Sequence, residues 1–193
     1  TASIISGFAF VGIALTADED WQPGAPRSEI APGFSRIDSS LVIETTDREG
    51  ENGFWTRTFP VEGGQTYEFT ALRLAENVEH DRRSVAVRLF FQNDEGKSVA
   101  RQEPTITRYR KLKHDPLSRP EFPRDQAKLD GGWVQVGDRY QAPRDATQAV
   151  VELHLRWAKN AKVSWKDIAL TPASPSETRK VRLGTIHLSP SGG

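Results

Sequence analysis

The feature that most constrains this chain is the alternation of apolar and polar residues in "SVAVRLFFQN" (84–93) and "QAVVELHLRWA" (148–158). Side chains two apart share a face of an extended strand. In the first stretch Val85, Val87, Leu89 and Phe91 therefore point one way, and Ala86, Arg88, Phe90 and Gln92 the other. In the second, Val151, Leu153, Leu155 and Trp157 oppose Glu152, His154 and Arg156. Each strand thus has one apolar side for a core, which places Trp157 inside. An antiparallel sheet can leave its other face in water, and that face carries Arg88, Phe90, Glu152, His154 and Arg156.

The same pattern recurs in short stretches divided by turn chemistry: "SLVIETTD" (40–47), "FWTRTFPV" (54–61), "TYEFTALRLA" (66–75), "WVQVGDRYQA" (133–142) and "VSWKDIALT" (163–171). "REGENG", "EGGQ", "DEGK", "PRDAT" and "KNAK" punctuate them. No segment has a period of 3.6. Seven or eight short strands with turns between them predict an all-β, antiparallel sandwich. "WQPGAPRSEIAPG" (21–33) reads as a loop. Asp94–Gly132 is a connection with little strand signal and a basic centre, "RYRKLKHD". Connections beyond about 12–15 residues are uncommon and often functional. Here an excursion packed over one sheet edge is favoured over a ligand or partner surface, because charge runs are usually solvated.

"IISGFAFVGIALTA" (4–17) is apolar and uncharged, but shorter than the roughly 20 residues that span a bilayer. It reads either as the remnant of an export signal, which would place the protein in a periplasm or outside the cell, or as an edge strand. "TPASPSETRK" (171–180) has linker composition. The expected division is an apolar segment at 1–20, the sandwich at 21–171, a linker at 172–180, and at 181–193 the first strand of a further domain.

Composition removes several function classes. Lys plus Arg and Asp plus Glu both number 26, so net charge supplies no attraction for nucleic acid or an anionic membrane. Cysteine is absent, which excludes disulfides, thiolate metal sites and a cysteine nucleophile. His80, His114, His154 and His187 are scattered without metal-ligand spacing. There is no G-x-S-x-G elbow and no phosphate loop, and no spacing singles out a carboxylate pair. Residue types and spacing therefore point away from catalysis. His154, between Glu152 and Arg156, is a hydrogen-bonding group for a sugar hydroxyl or for the protein itself. Among the tryptophans, Trp55 is ambiguous between core and surface, and Trp133 opens a strand.

From 41 to 171 the ordered set "SLVIE", "FWTRTFPVEGGQTYEFTALRLA", "RSVAVRLFFQNDEGKSV", "GGWVQVGDRYQAPRDATQAVVELHLRW" and "AKVSWKDIALT" resembles a galactose-binding-like jelly roll of the carbohydrate-binding-module type. "RKVRLGTIHLSPSGG" (179–193) resembles the first strand of a carbon–nitrogen hydrolase of the nitrilase superfamily. Together the resemblances imply a non-catalytic accessory module of an exported hydrolase, whose Glu, Lys and Cys would lie in a part not contained in this chain. Its partner would be carbohydrate, bound by Arg88, Phe90, Glu152, His154 and Arg156. The alternative is a structural domain that packs on the hydrolase or drives oligomerisation without binding sugar. The resemblance also implies a structural calcium, with Glu29 and Asp167 as the positions to suspect.

Overall fold

The computed structural model describes residues 20–101, 116–175 and 184. Ten strands occur among them: β1 (Gln22–Gly24), β2 (Gly33–Ile37), β3 (Ser40–Glu44), β4 (Asn52–Pro60), β5 (Thr66–Glu76), β6 (Val85–Gln92), β7 (Arg124–Lys128), β8 (Val134–Gln141), β9 (Gln148–Arg156) and β10 (Lys162–Pro172). Helix among these residues amounts to one turn, α1 (Asp81–Ser84), and two 3-10 turns at Ser28–Ile30 and Asp130–Gly132. All strand pairings are antiparallel, in a four-stranded sheet ordered β1-β4-β9-β6 and a six-stranded sheet ordered β2-β3-β10-β5-β8-β7. The expected sandwich is therefore present.

The alternation places the core between the sheets. Val87, Leu89, Phe91, Val151, Leu153 and Leu155 of the four-stranded sheet are buried with Leu41, Ile43, Phe69, Val163 and Trp165 of the other. Trp55 resolves to the core: its Nε1–H donates to the carbonyl of Val42 at 3.1 Å, and its ring meets Phe34 edge-on at 5.5 Å. Trp21, in the stretch expected to be loop, is also buried and packs edge-on against Phe59 at 6.1 Å.

The long connection divides. Glu121 exchanges two backbone hydrogen bonds with Leu89, at 2.9 and 2.7 Å, so this part does lie along the β6 edge. The next residues form β7 on the edge of the other sheet. Arg73 holds this end together. Its buried guanidinium donates to both carboxylate oxygens of Asp125 on β7, at 3.2 and 2.8 Å, and to Asp81 on α1 at 3.0 Å. Burial alone would lower its pKa, but the two carboxylates outweigh it and raise it. The basic "RYRKLKHD" centre, the apolar run 4–17 and nearly all of 181–193 lie outside the described residues.

Candidate functional site

The outer face of the four-stranded sheet is built from cross-strand rows. On β4, β9 and β6 the register sets Thr58, Val150 and Phe90 in one row, Thr56, Glu152 and Arg88 in the next, and Phe54, His154 and Ala86 in the third. Asn52 and Arg156 form a fourth. Rows of this kind recur about every 7 Å, so the four span roughly 20 Å of strand. β1 forms the far edge, with Gly24 beside Phe54; a Cβ at Gly24 would lie 2.7 Å from the Phe54 ring. The missing side chain lets that ring lean over the edge strand.

All five expected binding residues fall on this face, and four of them are joined or stacked. Oε2 of Glu152 accepts from Nη1 of Arg88 at 2.9 Å and pairs with Nε2 of His154 at 2.9 Å. A carboxylate only accepts, so Nε2 carries the proton. The His154 ring lies 5.0 Å from Phe54 and the Arg88 guanidinium 5.7 Å from Phe90. Arg156 stands at the end of the face and donates from Nε to the carbonyl of Arg83 at 3.1 Å.

The expected wet face needs correction in degree. His154 is buried, 4% exposed, beneath Phe54 and the Glu152 carboxylate. Arg88, Phe90, Glu152 and Arg156 are half-buried. Period-two alternation fixes which side of a sheet a residue occupies, but not what its neighbours cover. Two polar atoms of this face, Nδ1 of His154 and Oδ1 of Asn52, are buried without a hydrogen-bond partner. Native structures leave few such atoms, and each costs about 1–3 kcal/mol.

Trp157 is a second correction. It is 49% exposed rather than in the core. β9 ends at Arg156, and Trp157 takes φ +59°, which turns the chain and ends the alternation one residue early. The guanidiniums of Arg156 and Arg83 lie 4.5 and 5.8 Å from its ring centre.

Glu29 and Asp167 do not form a calcium site. The register sets Gly33 and Lys162 opposite Glu44 at one end of the β2-β3-β10 ladder. Glu29 precedes that end, whereas Asp167 lies five residues further along β10, at a bulge where it takes φ +52°. A single cation cannot be ligated from both ends, and no group of three or more His, Asp or Glu suited to a metal occurs among the described residues.

No family model and no curated protein matches this chain. Solved structures do. One is the enzymatically active domain of bacteriophage CBA120 tailspike protein 4, at TM-score 0.52 and 9% identity, with 80% of this chain on 20% of that one. Another is the Clostridium thermocellum endo-1,4-beta-D-xylanase 10B CBM22-1–GH10 modules complexed with xylohexaose, at TM-score 0.50 and 8% identity, with 85% of this chain on 28% of that one. A third is a CBM4 module, at TM-score 0.50 and 14% identity, with 82% of this chain on 90% of that one. The fold is a jelly roll shared with carbohydrate-binding modules. At these identities the likeness concerns fold alone. This chain spans less than a third of the length of the first two.

Sequence reasoning missed Phe54 as a member of the face, although its position in "NGFWTRTF" shares the parity of Thr56 and Thr58. It also missed Glu51, which is 2% exposed. Its Oε2 accepts from the Thr46 amide and its Oε1 from Arg48 at 2.7 Å. Burial alone would raise its pKa, but the hydrogen bonds from Arg48 and Thr46 outweigh it and hold the carboxyl below its ordinary value.

Proposed function

We propose that this chain is a non-catalytic carbohydrate-binding module, with a saccharide lying across the outer face of its four-stranded sheet. The observation that carries the reading is the Arg88–Glu152–His154 network set between Phe54 and Phe90. Sugars present hydroxyls around flat patches of C–H, so a receptor needs aromatic surface beside fixed polar groups. Here Glu152 fixes Arg88 and His154 before any ligand arrives, which reduces the entropy lost on binding. Arg88 retains donors beyond the one shared with Glu152.

The resemblance of 179–193 to a nitrilase-type strand supports an accessory role beside an exported carbon–nitrogen hydrolase. In that role the module would hold the enzyme near its polysaccharide.

Isothermal titration of the chain with neutral glucose, xylose and galactose oligosaccharides tests the binding reading. At least one should give saturable heat, and Glu152→Gln and Arg88→Met should each weaken it by about tenfold or more. Absence of heat with every oligosaccharide, or full affinity in both variants, would remove the sheet face from the account.

A further inference from the structure

We infer that the binding surface continues past the end of the sheet onto Trp157, where it receives an acidic sugar residue whose carboxylate is held by Arg83 and Arg156. This rests on the reading of the sheet face as a saccharide site. Trp157 stands in a cleft of about 710 Å³ lined also by Arg83, His80, Glu79, Glu49 and Lys159. A bulky residue at positive φ is uncommon, so it persists only where its surroundings hold it. They do so here. The Trp157 amide donates to the carbonyl of Glu51 at 2.8 Å, and the Asn160 amide to the carbonyl of Thr46 at 2.8 Å. The buried Glu51 carboxylate fastens the segment carrying both acceptors. The hairpin is therefore fixed in the shape that puts half of a tryptophan in solvent.

The cleft lining sets Glu49 and Glu79 against Arg83 and Lys159, and Arg156 from the adjoining face adds one further cation. Glu49 is engaged by Lys159 at 2.7 Å and Glu79 faces His80 at 3.6 Å. Arg83 and Arg156 have no carboxylate partner among the described residues, nor has Arg82, which with Arg156 lines an adjoining depression of about 480 Å³. Arg156 has its pKa lowered by burial and then by the nearby charge of Arg88. An anion placed there would relieve that repulsion. A guanidinium stacked on an aromatic ring keeps its N–H groups in its own plane, where they can meet a carboxylate through two parallel bonds. Arg156 uses only Nε on Arg83. It is also the last residue of the sheet face, so a chain bound there reaches Trp157 without a gap. A hexuronate offers both the apolar ring face and the anion.

The test is isothermal titration of the chain with a galacturonate tetrasaccharide, its neutral galactose counterpart, and free galacturonate. The acidic tetrasaccharide should bind at least about tenfold tighter than the neutral one. That margin should shrink as salt rises to about 0.3 M. The double variant Arg83→Gln/Arg156→Gln should abolish the margin between the acidic and neutral tetrasaccharides with the chain still folded, and Arg156→Lys should restore part of it. Equal affinity for the two tetrasaccharides overturns the inference and leaves the sheet-face reading standing. Acidic binding that survives Glu152→Gln but not the double variant supports the inference and removes the sheet face. Heat with free galacturonate equal to that of the tetrasaccharide reduces the site to a carboxylate trap and overturns it, and no heat with any of the three overturns both.

Discussion

Replacing Glu51 by Gln perturbs a buried carboxylate held by Arg48 and Thr46. The carboxylate accepts from the Thr46 amide and, at 2.7 Å, from Arg48. Glutamine has one acceptor oxygen. If that oxygen serves the Thr46 amide, the NH2 faces the Arg48 guanidinium and that bond is lost. Arg48 is 56% exposed and can turn to water, so the lost ion pair costs only about 0–1 kcal/mol, while the buried NH2 left without an acceptor costs about 1–3 kcal/mol. Exchanging a charge-assisted bond to Thr46 for a neutral one costs about 1 kcal/mol more. A total of about 2–5 kcal/mol lowers the melting temperature by roughly 4–20 °C in a chain of this size. The pH dependence gives a second readout. A carboxyl whose folded pKa is depressed stabilises the fold above its unfolded pKa, and this stabilisation is lost as pH falls through the folded value. The gap between wild type and Glu51→Gln should therefore be full at neutral pH and close below about pH 4. Differential scanning calorimetry at several pH values measures both. An unchanged melting temperature at pH 7, or a gap that widens toward acid, would refute the reasoning.

Two further substitutions test the packing. Gly63→Ala would drive a Cβ into the backbone carbonyl of Arg144. It should cost about 3 kcal/mol or more, and a urea midpoint equal to wild type would show that the β4–β5 turn does not pack there. Trp55→Phe removes the donor to the Val42 carbonyl and part of a buried ring. It should lower stability by about 1–3 kcal/mol without altering saccharide affinity; a change in affinity alone would place Trp55 on the binding side.

Residues whose burial follows strand parity were legible in the sequence, and the rest were not. Leu153 and Leu155 against Glu152 and His154 set both the face and the sandwich, because a one-residue slip would put the wrong set in water. β7, "RDQAK", has no such pattern: all five residues are exposed, and the strand exists because Asp125 meets Arg73 and its backbone pairs with β8. β1 is three residues with a central proline, which no periodicity can reveal. Trp157 defeated the rule at the one step where a left-handed residue ends the strand. His154 was assigned to the right face, but its burial depends on Phe54, a neighbour set by cross-strand register.

The most direct measurement for the central claim is a map of backbone amide shifts while a neutral oligosaccharide that gives heat is titrated into the labelled chain. Perturbations should gather on Phe54, Thr56, Arg88, Phe90, Val150 and Glu152, which share one side of three adjacent strands. Shifts gathered instead on the six-stranded sheet around Leu72, Trp133 and Lys166, with the Arg88–Glu152–His154 rows silent, would contradict it.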